Sequence, residues 1–300
     1  MGLEVRRARV ADKERIVAIA SQIWDGGDYV PAVIDDWLAC SRGELLVAEI
    51  DGTVAAFAQR TWLAAGHAWL QGIRADPALR GRGAGRALTQ ALVEACDRDG
   101  ARRIGLSTYI DNLESIHLVE SFGFVRRASF SYVEGTSEVP GAAPLGDIDV
   151  PSDAEFEAFV RASTFLRAAR GRFPSEWRFL EFDWEPRVAL GWAPHRFALR
   201  RDGRIVAALC ASYPARADMQ GAFLSFLEGS REDVAALLAH AVRQLEVPGW
   251  EAMIPAPDGD ASPILATLRE LGFTSWRDFT PDSFCYERDA LSRPGTVRPG

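Results

Sequence analysis

The feature that most constrains this chain is a pair of landmarks that occurs twice. Asp51-Gly52 and Asp202-Gly203 stand 151 residues apart, and Gly123-Phe124 and Gly272-Phe273 stand 149 apart. Each Asp-Gly joins two apolar runs: Glu44–Ile50 to a run from Thr53, and Phe197–Arg201 to Ile205–Ala211. An Asp-Gly pair in that setting is the strongest short-range hairpin signal. An offset held within two residues across two independent landmarks predicts one folding unit written twice. A chain of 300 residues has room for two such domains.

The elements around the landmarks repeat in the same order. The first half reads as a strand from Leu3 to Arg9, then a helix capped by Asp12 with Ile16, Val17, Ile19, Ala20 and Ile23 on its apolar face. A loop from Asp25 to Val30 and a second helix opened by Pro31 follow. After the hairpin come a strand from His67 to Ala75, a helix from Gly85 to Arg98 and a strand from Arg103 to Tyr109. A helix from Asn112 to Phe122 and a strand from Phe124 to Val133 complete the half. The second half reads as a helix from Ser152 to Ala169, the second hairpin, and a strand from Ala222 to Glu228. A helix from Arg231 to Leu245, a strand near Trp250–Ile254, a helix to Leu271 and a strand after Gly272-Phe273 then follow. Between the halves, residues 137–147 are rich in Gly, Pro and Ala and read as a linker, which places the domains at 1–136 and 148–300. Helices and hairpins in this order predict α/β layers around a mostly antiparallel sheet.

Composition excludes several classes. A net charge of −8 argues against nucleic acid as a partner. No apolar run reaches membrane-spanning length, and the N-terminus has no signal-peptide core, so a cytoplasmic protein without a membrane partner is expected. The cysteines at 40, 96, 210 and 285 form no CxxC and the histidines no HExxH, so reduced thiols and no metal site are expected. Lys13 is the sole lysine among many arginines, alanines and glycines, a bias that points to a GC-rich bacterial source. Nothing in the composition separates a monomer from a homodimer.

The chemistry lies in the stretch from Gly72 to Leu88. Pro77 ends strand pairing, and glycines at 81, 83 and 85 then allow the backbone to curl and turn successive N–H groups toward one anion. The helix that follows adds its dipole and free amides. Arg80, Arg82 and Arg86 add charges suited to phosphate oxygens. From Arg74 to Arg86 the net charge is +3 on an acidic chain. The loop lacks the GK[ST] of a Walker P-loop and the register of a dinucleotide fingerprint.

Arg80-Gly81-Arg82-Gly83-Ala84-Gly85 resembles motif A of the GNAT (GCN5-related) N-acetyltransferases, [RQ]-x-x-G-x-[GA]. Asn112, ahead of a helix that ends in Gly123-Phe124, is similar to the family's downstream motif. The resemblance runs from about Leu3 to Tyr132. It implies two tandem GNAT-like α/β (α+β) domains, each a twisted, mostly antiparallel mixed sheet flanked by helices. It also implies acetyl-CoA as cosubstrate. Ile73 and Ala75 would face the pantetheine arm, the amides and side chains of residues Arg80, Gly81, Arg82, Gly83, Ala84, Gly85 and Arg86 the diphosphate, and Asn112 and Ser115 the thiol end. Asn112 also reads as a plain helix N-cap. In the second half the corresponding stretch is Ser230-Arg231-Glu232-Asp233-Val234-Ala235-Ala236, without glycine and with two acids that repel a diphosphate. A degenerate second domain is therefore expected.

The family's usual proton donor and base fall on Val119 and Gln71, which do neither job. Candidate replacements are Tyr109, Glu49 and Asp28. Tyr109 also reads as a half-buried strand tyrosine, and Glu49 as a solvated strand carboxylate. Water is an alternative proton carrier, with catalysis resting on proximity. His117 points to a different helix face from Ser115. The run Asp28-Tyr29-Val30-Pro31 is similar to histidine N-acetyltransferase-like proteins. It makes Asp28, Tyr29 and Gln71 candidate acceptor contacts, with Asp28 equally placed to cap the helix at Pro31 and Tyr29, Pro31 and Trp37 to pack the loop onto the core. The resemblance suggests an amino-acid-like acceptor, so the expected reaction is direct attack of a small-molecule primary amine, such as that of an amino acid, in a ternary complex, with a protein or peptide amine, or a non-catalytic acyl-CoA sensor, as alternatives. The aromatic run Trp177, Phe179, Phe182, Trp184 and Trp192 reads as core or as a cover for the acceptor.

Overall fold

The computed structural model describes residues 2–139, 146–213, 221–258 and 262–289. By contacts the chain divides into two compact units. The first comprises Met1–Leu106, Glu114–Val125 and Glu287–Gly300; the second comprises Ser107–Leu113 and Arg126–Tyr286.

In chain order the elements of the first half are β1 (Leu3–Arg7), α1 (Lys13–Ala20), α2 (Val30–Ala39), β2 (Gly43–Ile50), β3 (Thr53–Ala64), β4 (His67–Ala75), α3 (Ala84–Arg98), β5 (Arg103–Tyr109), α4 (Leu113–Glu120) and β6 (Val125–Thr136). The second half contains β7 (Asp147–Asp149), α5 (Asp153–Ala162), α6 (Thr164–Ala168), β8 (Arg172–Ser175), β9 (Arg178–Glu181), α7 (Pro186–Trp192), β10 (His195–Arg201), β11 (Arg204–Ser212), β12 (Ala222–Glu228), α8 (Arg231–Leu245), β13 (Gly249–Pro255), α9 (Pro263–Glu270), β14 (Thr274–Ser275) and β15 (Ser283–Asp289).

The expected order therefore occurs twice, and so does the pairing. In the first unit β1, β2, β3 and β4 are antiparallel neighbours. Beside them β4 and β5 run parallel, bridged at His67–Trp69 with Arg103–Gly105. In the second unit β7, β10, β11 and β12 are antiparallel neighbours. There β12 and β13 run parallel, bridged at Ala222–Leu224 with Trp250–Ala252. The landmarks repeat in conformation too: Asp51 and Asp202 have φ of 50° and 49°. The amide of Phe124 bonds the Val119 carbonyl at 3.2 Å as that of Phe273 bonds Leu268 at 3.0 Å. Each unit is thus a mostly antiparallel mixed sheet with helices packed on it.

The single cut expected between 136 and 148 follows chain order, whereas the contacts divide the chain at several points. β6 closes the first order of elements but pairs antiparallel with β13, from Phe130↔Pro255 to Thr136↔Gly249. Conversely, the end of β15 belongs to the first unit, where Arg103 pairs with Glu287 at 3.6 Å and Arg288 with Asp97 at 3.3 Å. β6 thus joins the second half's sheet and the end of β15 the first unit, an arrangement that sequence order cannot reveal. The linker expected at 137–147 lies largely in 140–145, outside the described residues.

Two local expectations are corrected. The helix expected from Ser152 to Ala169 breaks at Ser163, whose ψ of 154° is extended and whose hydroxyl accepts from the Leu166 amide at 3.0 Å. Asp12 makes no side-chain cap bond to α1. Its carboxylate turns back to the Arg9 amide at 2.7 Å and to Arg6 at 2.8 Å, and hydrogen bonding by Arg6 lowers its pKa. The aromatic run lies on the β8–β9 hairpin and α7, an insertion without a first-half counterpart. Phe179 and Phe182 are fully buried there, while Trp177 stacks with Trp276 at 5.7 Å.

Candidate functional site

The strand–loop–helix β4–α3 builds the site in the first unit. Among the described residues the first three of β4 pair with β5, and on that edge Leu70–Ala75 has no ladder partner. On the other edge the register with β3 slips: Phe57 faces Arg74 while Gln59 faces Gln71. One extra residue on β4 is a bulge, which frees backbone groups at Gly72 and Ile73 from the ladder. Gly72 has φ +62°, and a Cβ there would lie 2.5 Å from the Trp37 ring. Both conformation and packing require glycine.

At the end of β4 the Asp76 carboxylate accepts from the Ala78 amide at 2.8 Å and pairs with Arg15. Burial opposes its ionisation, but these two bonds prevail and its pKa is lowered. The loop beyond is exposed. Gly81 and Gly83 have φ of +77° and +86°, and added Cβ atoms at Gly81 and Gly85 would meet nothing within 4 Å. Gly83 is the N-cap of α3 and offers no side-chain acceptor, and the first turn of α3 holds no acid. Arg80 meets Glu114 of α4 at 3.8 Å, with both side chains largely solvated. Arg86 bonds the Ser121 hydroxyl at 3.2 Å and covers the Phe122 ring at 5.2 Å. Arg82 makes no ion pair among the described residues. A curled glycine loop, a helix N-terminus without a side-chain cap and three solvated arginines have the geometry and charge that suit a polyanion. The Arg80–Glu114 contact brings the first turn of α4, which carries Ser115, beside the loop.

The expected acid–base residues fare differently. Val119 is fully buried, as befits a valine in a core. Gln71 is half-buried opposite Gln59. Glu49 is not a solvated base: it pairs with Arg6, which also holds Asp12. Asp28 is not open to an acceptor ammonium either. Its carboxylate has 0% side-chain exposure, accepts from the Val30 amide at 2.8 Å just ahead of α2, whose N-cap is Tyr29, and pairs with Arg74 Nε at 2.5 Å. Asp28 and Glu49 are thereby corrected as candidate bases. Arg74 was counted among the loop's charges, but it points instead to the α1–α2 loop, where its guanidinium lies 4.4 Å from the Trp24 ring and 5.9 Å from that of Tyr29. Tyr29 meets Trp37 edge-on at 5.9 Å. The Arg74–Asp28 pair escaped sequence reasoning because 46 residues separate its members; the exposed aromatic at Trp24 beside Asp25-Gly26-Gly27 was the available signal.

Tyr109 and Asn112 fall in the second unit. Tyr109 is a half-buried strand tyrosine whose ring lies 4.8 Å from Trp177 and 5.3 Å from Trp276. Asn112 is exposed just before α4, and its amide bonds the Tyr109 carbonyl at 3.1 Å. His117 is exposed, as its helical phase predicts. Among the described residues no cluster of His, Cys, Asp or Glu could hold a metal ion, and no helix is long and apolar enough to cross a membrane. Among the described residues the four cysteines form no disulfide, and burial pushes the Cys96 thiol up to about 12.

The second unit repeats this frame around a different helix start. Beyond Leu224, β12 also lacks a partner on β13. Yet at α8 the Ser230 hydroxyl accepts from the Asp233 amide at 3.3 Å, and the Asp233 carboxylate is itself buried and paired with Arg201. Glu232 and Asp233 stand in its first turn. The strand end of β12 is also engaged: Glu228 accepts from the Thr164 and Phe165 amides at 3.1 and 3.0 Å.

Residues 14–124 match the model of the Acetyltransferase (GNAT) family. A search of curated proteins gives no significant match. Among solved structures, a GCN5-related N-acetyltransferase from Sphaerobacter thermophilus superposes with a TM-score of 0.62 at 16% identity, covering 98% of this chain and 96% of that one. A tandem GNAT protein from the clavulanic acid biosynthesis pathway gives 0.60 at 14%, covering 97% and 100%. A protein from Thermoplasma acidophilum described as a putative acetyltransferase gives 0.57 at 17%, covering 95% and 99%. At these identities the likeness is one of fold.

Proposed function

Starting from a chain whose residues 14–124 carry a GNAT-family acetyltransferase domain, and which is therefore an acyltransferase, we propose that it transfers an acetyl group from acetyl-CoA to the primary amine of a small molecule. The observation that carries this reading is the open N-terminus of α3: no side chain caps it and nothing lies within 4 Å of the Cβ positions of Gly81 and Gly85. The cosubstrate supplies an activated acyl thioester. The amides from Gly81 to Arg86, with Arg80 and Arg82, hold its diphosphate. The unpaired edge of β4 around Ile73 and Ala75 receives the pantetheine arm as an added strand would be received. The amide freed by the bulge at Gly72–Ile73 donates to the reacting carbonyl oxygen.

In the overall step the amine nitrogen bonds the acyl carbon as the carbon–sulfur bond breaks. The ammonium proton is lost to solvent and the thiolate is protonated from solvent. Neither candidate carboxylate is a free base for this step, since Asp28 and Glu49 are committed to Arg74 and Arg6. The site therefore works by holding both reactants together, in one ternary complex. Thiol release from acetyl-CoA over a panel of primary amines tests the reading. Turnover is expected with small amines, with kcat/KM rising about tenfold per pH unit below the pKa of the amine. Binding of acetyl-CoA without turnover on any amine would leave a sensor instead, and absence of binding would remove the reading altogether.

A further inference from the structure

Arg74 binds Asp28 and still has an edge to spare. Its Nε donates to Asp28 at 2.5 Å and its Nη1 to the Ile73 carbonyl at 3.2 Å. The Trp24 ring covers the guanidinium at 4.4 Å, and the side chain is only 14% exposed. Its Nη2 bonds nothing among the described residues. A guanidinium carries five donors in a rigid plane, and one edge here is left for a ligand. The covering loop is held at a conformational cost: Trp24 and Asp25 have φ of 48° and 54°, where residues with a Cβ are disfavoured. A cation fixed on one face by an indole and on one edge by a fully buried carboxylate loses little further freedom on binding. It stands on β4 one residue beyond the bulge.

We propose that Arg74 is the receptor for a carboxylate on the acceptor, which makes the acceptor an amino acid or another amine with a carboxylate close to its reactive nitrogen. This rests on the acetyl-transfer reading above. Two carboxylates, one per edge, are a favourable geometry for a guanidinium, and Asp28 occupies only the first. The phosphates of acetyl-CoA are the other source of an anion, and the loop from Arg80 to Arg86 already provides for them.

The experiment compares an α-amino acid with the amine formed by removing its carboxylate, as acceptors for the full chain, alongside acetyl-CoA affinity. The wild-type protein should prefer the carboxylate-bearing amine by about 10- to 100-fold in kcat/KM, the size of a charge-assisted hydrogen-bonded contact. Arg74→Lys keeps a charge opposite the buried Asp28, so the fold is retained, but it loses the planar edge. In this variant the preference should fall toward one, chiefly through KM, while the Kd of acetyl-CoA stays in place. Arg74→Gln should behave alike if it folds. Equal use of both amines by the wild type overturns the proposal while leaving acetyl transfer intact. A preference unchanged in Arg74→Lys, or a weakened acetyl-CoA Kd in its place, overturns it as well. Failure of both amines in every form would count against the acetyl-transfer reading instead.

Discussion

Helices α3 and α8 each run for fifteen residues and each follows a parallel strand pair that parts after three bridges. What differs is the first turn. In α3 a glycine with φ +86° offers no side-chain cap; in α8 the Ser230 hydroxyl accepts from the Asp233 amide and donates to the buried Asp233 carboxylate, with Arg201 behind it. Arg201 precedes the second Asp-Gly hairpin, and in the first half the residue before Asp51-Gly52 is the buried Ile50. One frame has therefore been finished in two ways. The first invites an anion from solution, and the second carries its own. A helix N-terminus that binds a ligand must stay incomplete in the free protein, and that incompleteness separates a site from a scaffold.

The comparison can be broken most forcefully at Gly83. Gly83→Glu puts a carboxylate at the start of α3, as α8 has acids in its first turn, and should weaken acetyl-CoA binding on the order of 100-fold or more through lost amides and repulsion. Gly83→Ala, which imposes similar backbone strain without charge, should cost far less, and calorimetric titration of both separates charge from strain. Equal losses would mean that the φ of Gly83, and not the open helix end, matters.

Next in size is a contrast between carboxylates. Asp76 in the first unit has a lowered pKa, so its contribution to stability is present above the unfolded value and is lost as pH falls through the folded one. Asp282 in the second unit is the reverse. Burial raises its pKa to about 6 against the bonds it accepts, including two from the Tyr132 amide at 3.0 Å. Its contribution is present below the unfolded value and is lost as pH rises from about 4 to 6. Relative to Asp282→Asn, the wild-type protein should lose up to about 3 kcal/mol across that window, measured by denaturant unfolding at several pH values. A constant difference between the two proteins would contradict this.

Asp233→Asn should cost about 1–3 kcal/mol of stability by weakening the bond to Arg201, and leave acetyl-CoA affinity unchanged. Smallest is Arg82→Gln, expected to weaken acetyl-CoA only a few-fold, with the difference vanishing in high salt because the side chain is solvated. A salt-independent loss would indicate a buried contact instead.

The frame was legible in the sequence because its signals are local. The two Asp-Gly turns, the two Gly-Phe entries and the glycines at 81, 83 and 85 each act through their own backbone. What escaped depends on partners far along the chain. Nothing near Asp28 announces Arg74, and nothing near Glu49 announces Arg6, so both acids read as free bases. The bulge at Gly72 depends on register with β3, and the placement of β6 on which strand it pairs with. The β8–β9 hairpin was hidden because its short apolar run, with Phe173, Phe179 and Leu180, does not distinguish strand from buried helix.

The central claim is that one chain binds one acetyl-CoA, at the start of α3. Calorimetric titration of the full chain tests it most directly. The account predicts a stoichiometry of one, abolished in Gly83→Glu and untouched in Asp233→Asn. Two molecules per chain, or binding that survives Gly83→Glu, would contradict it.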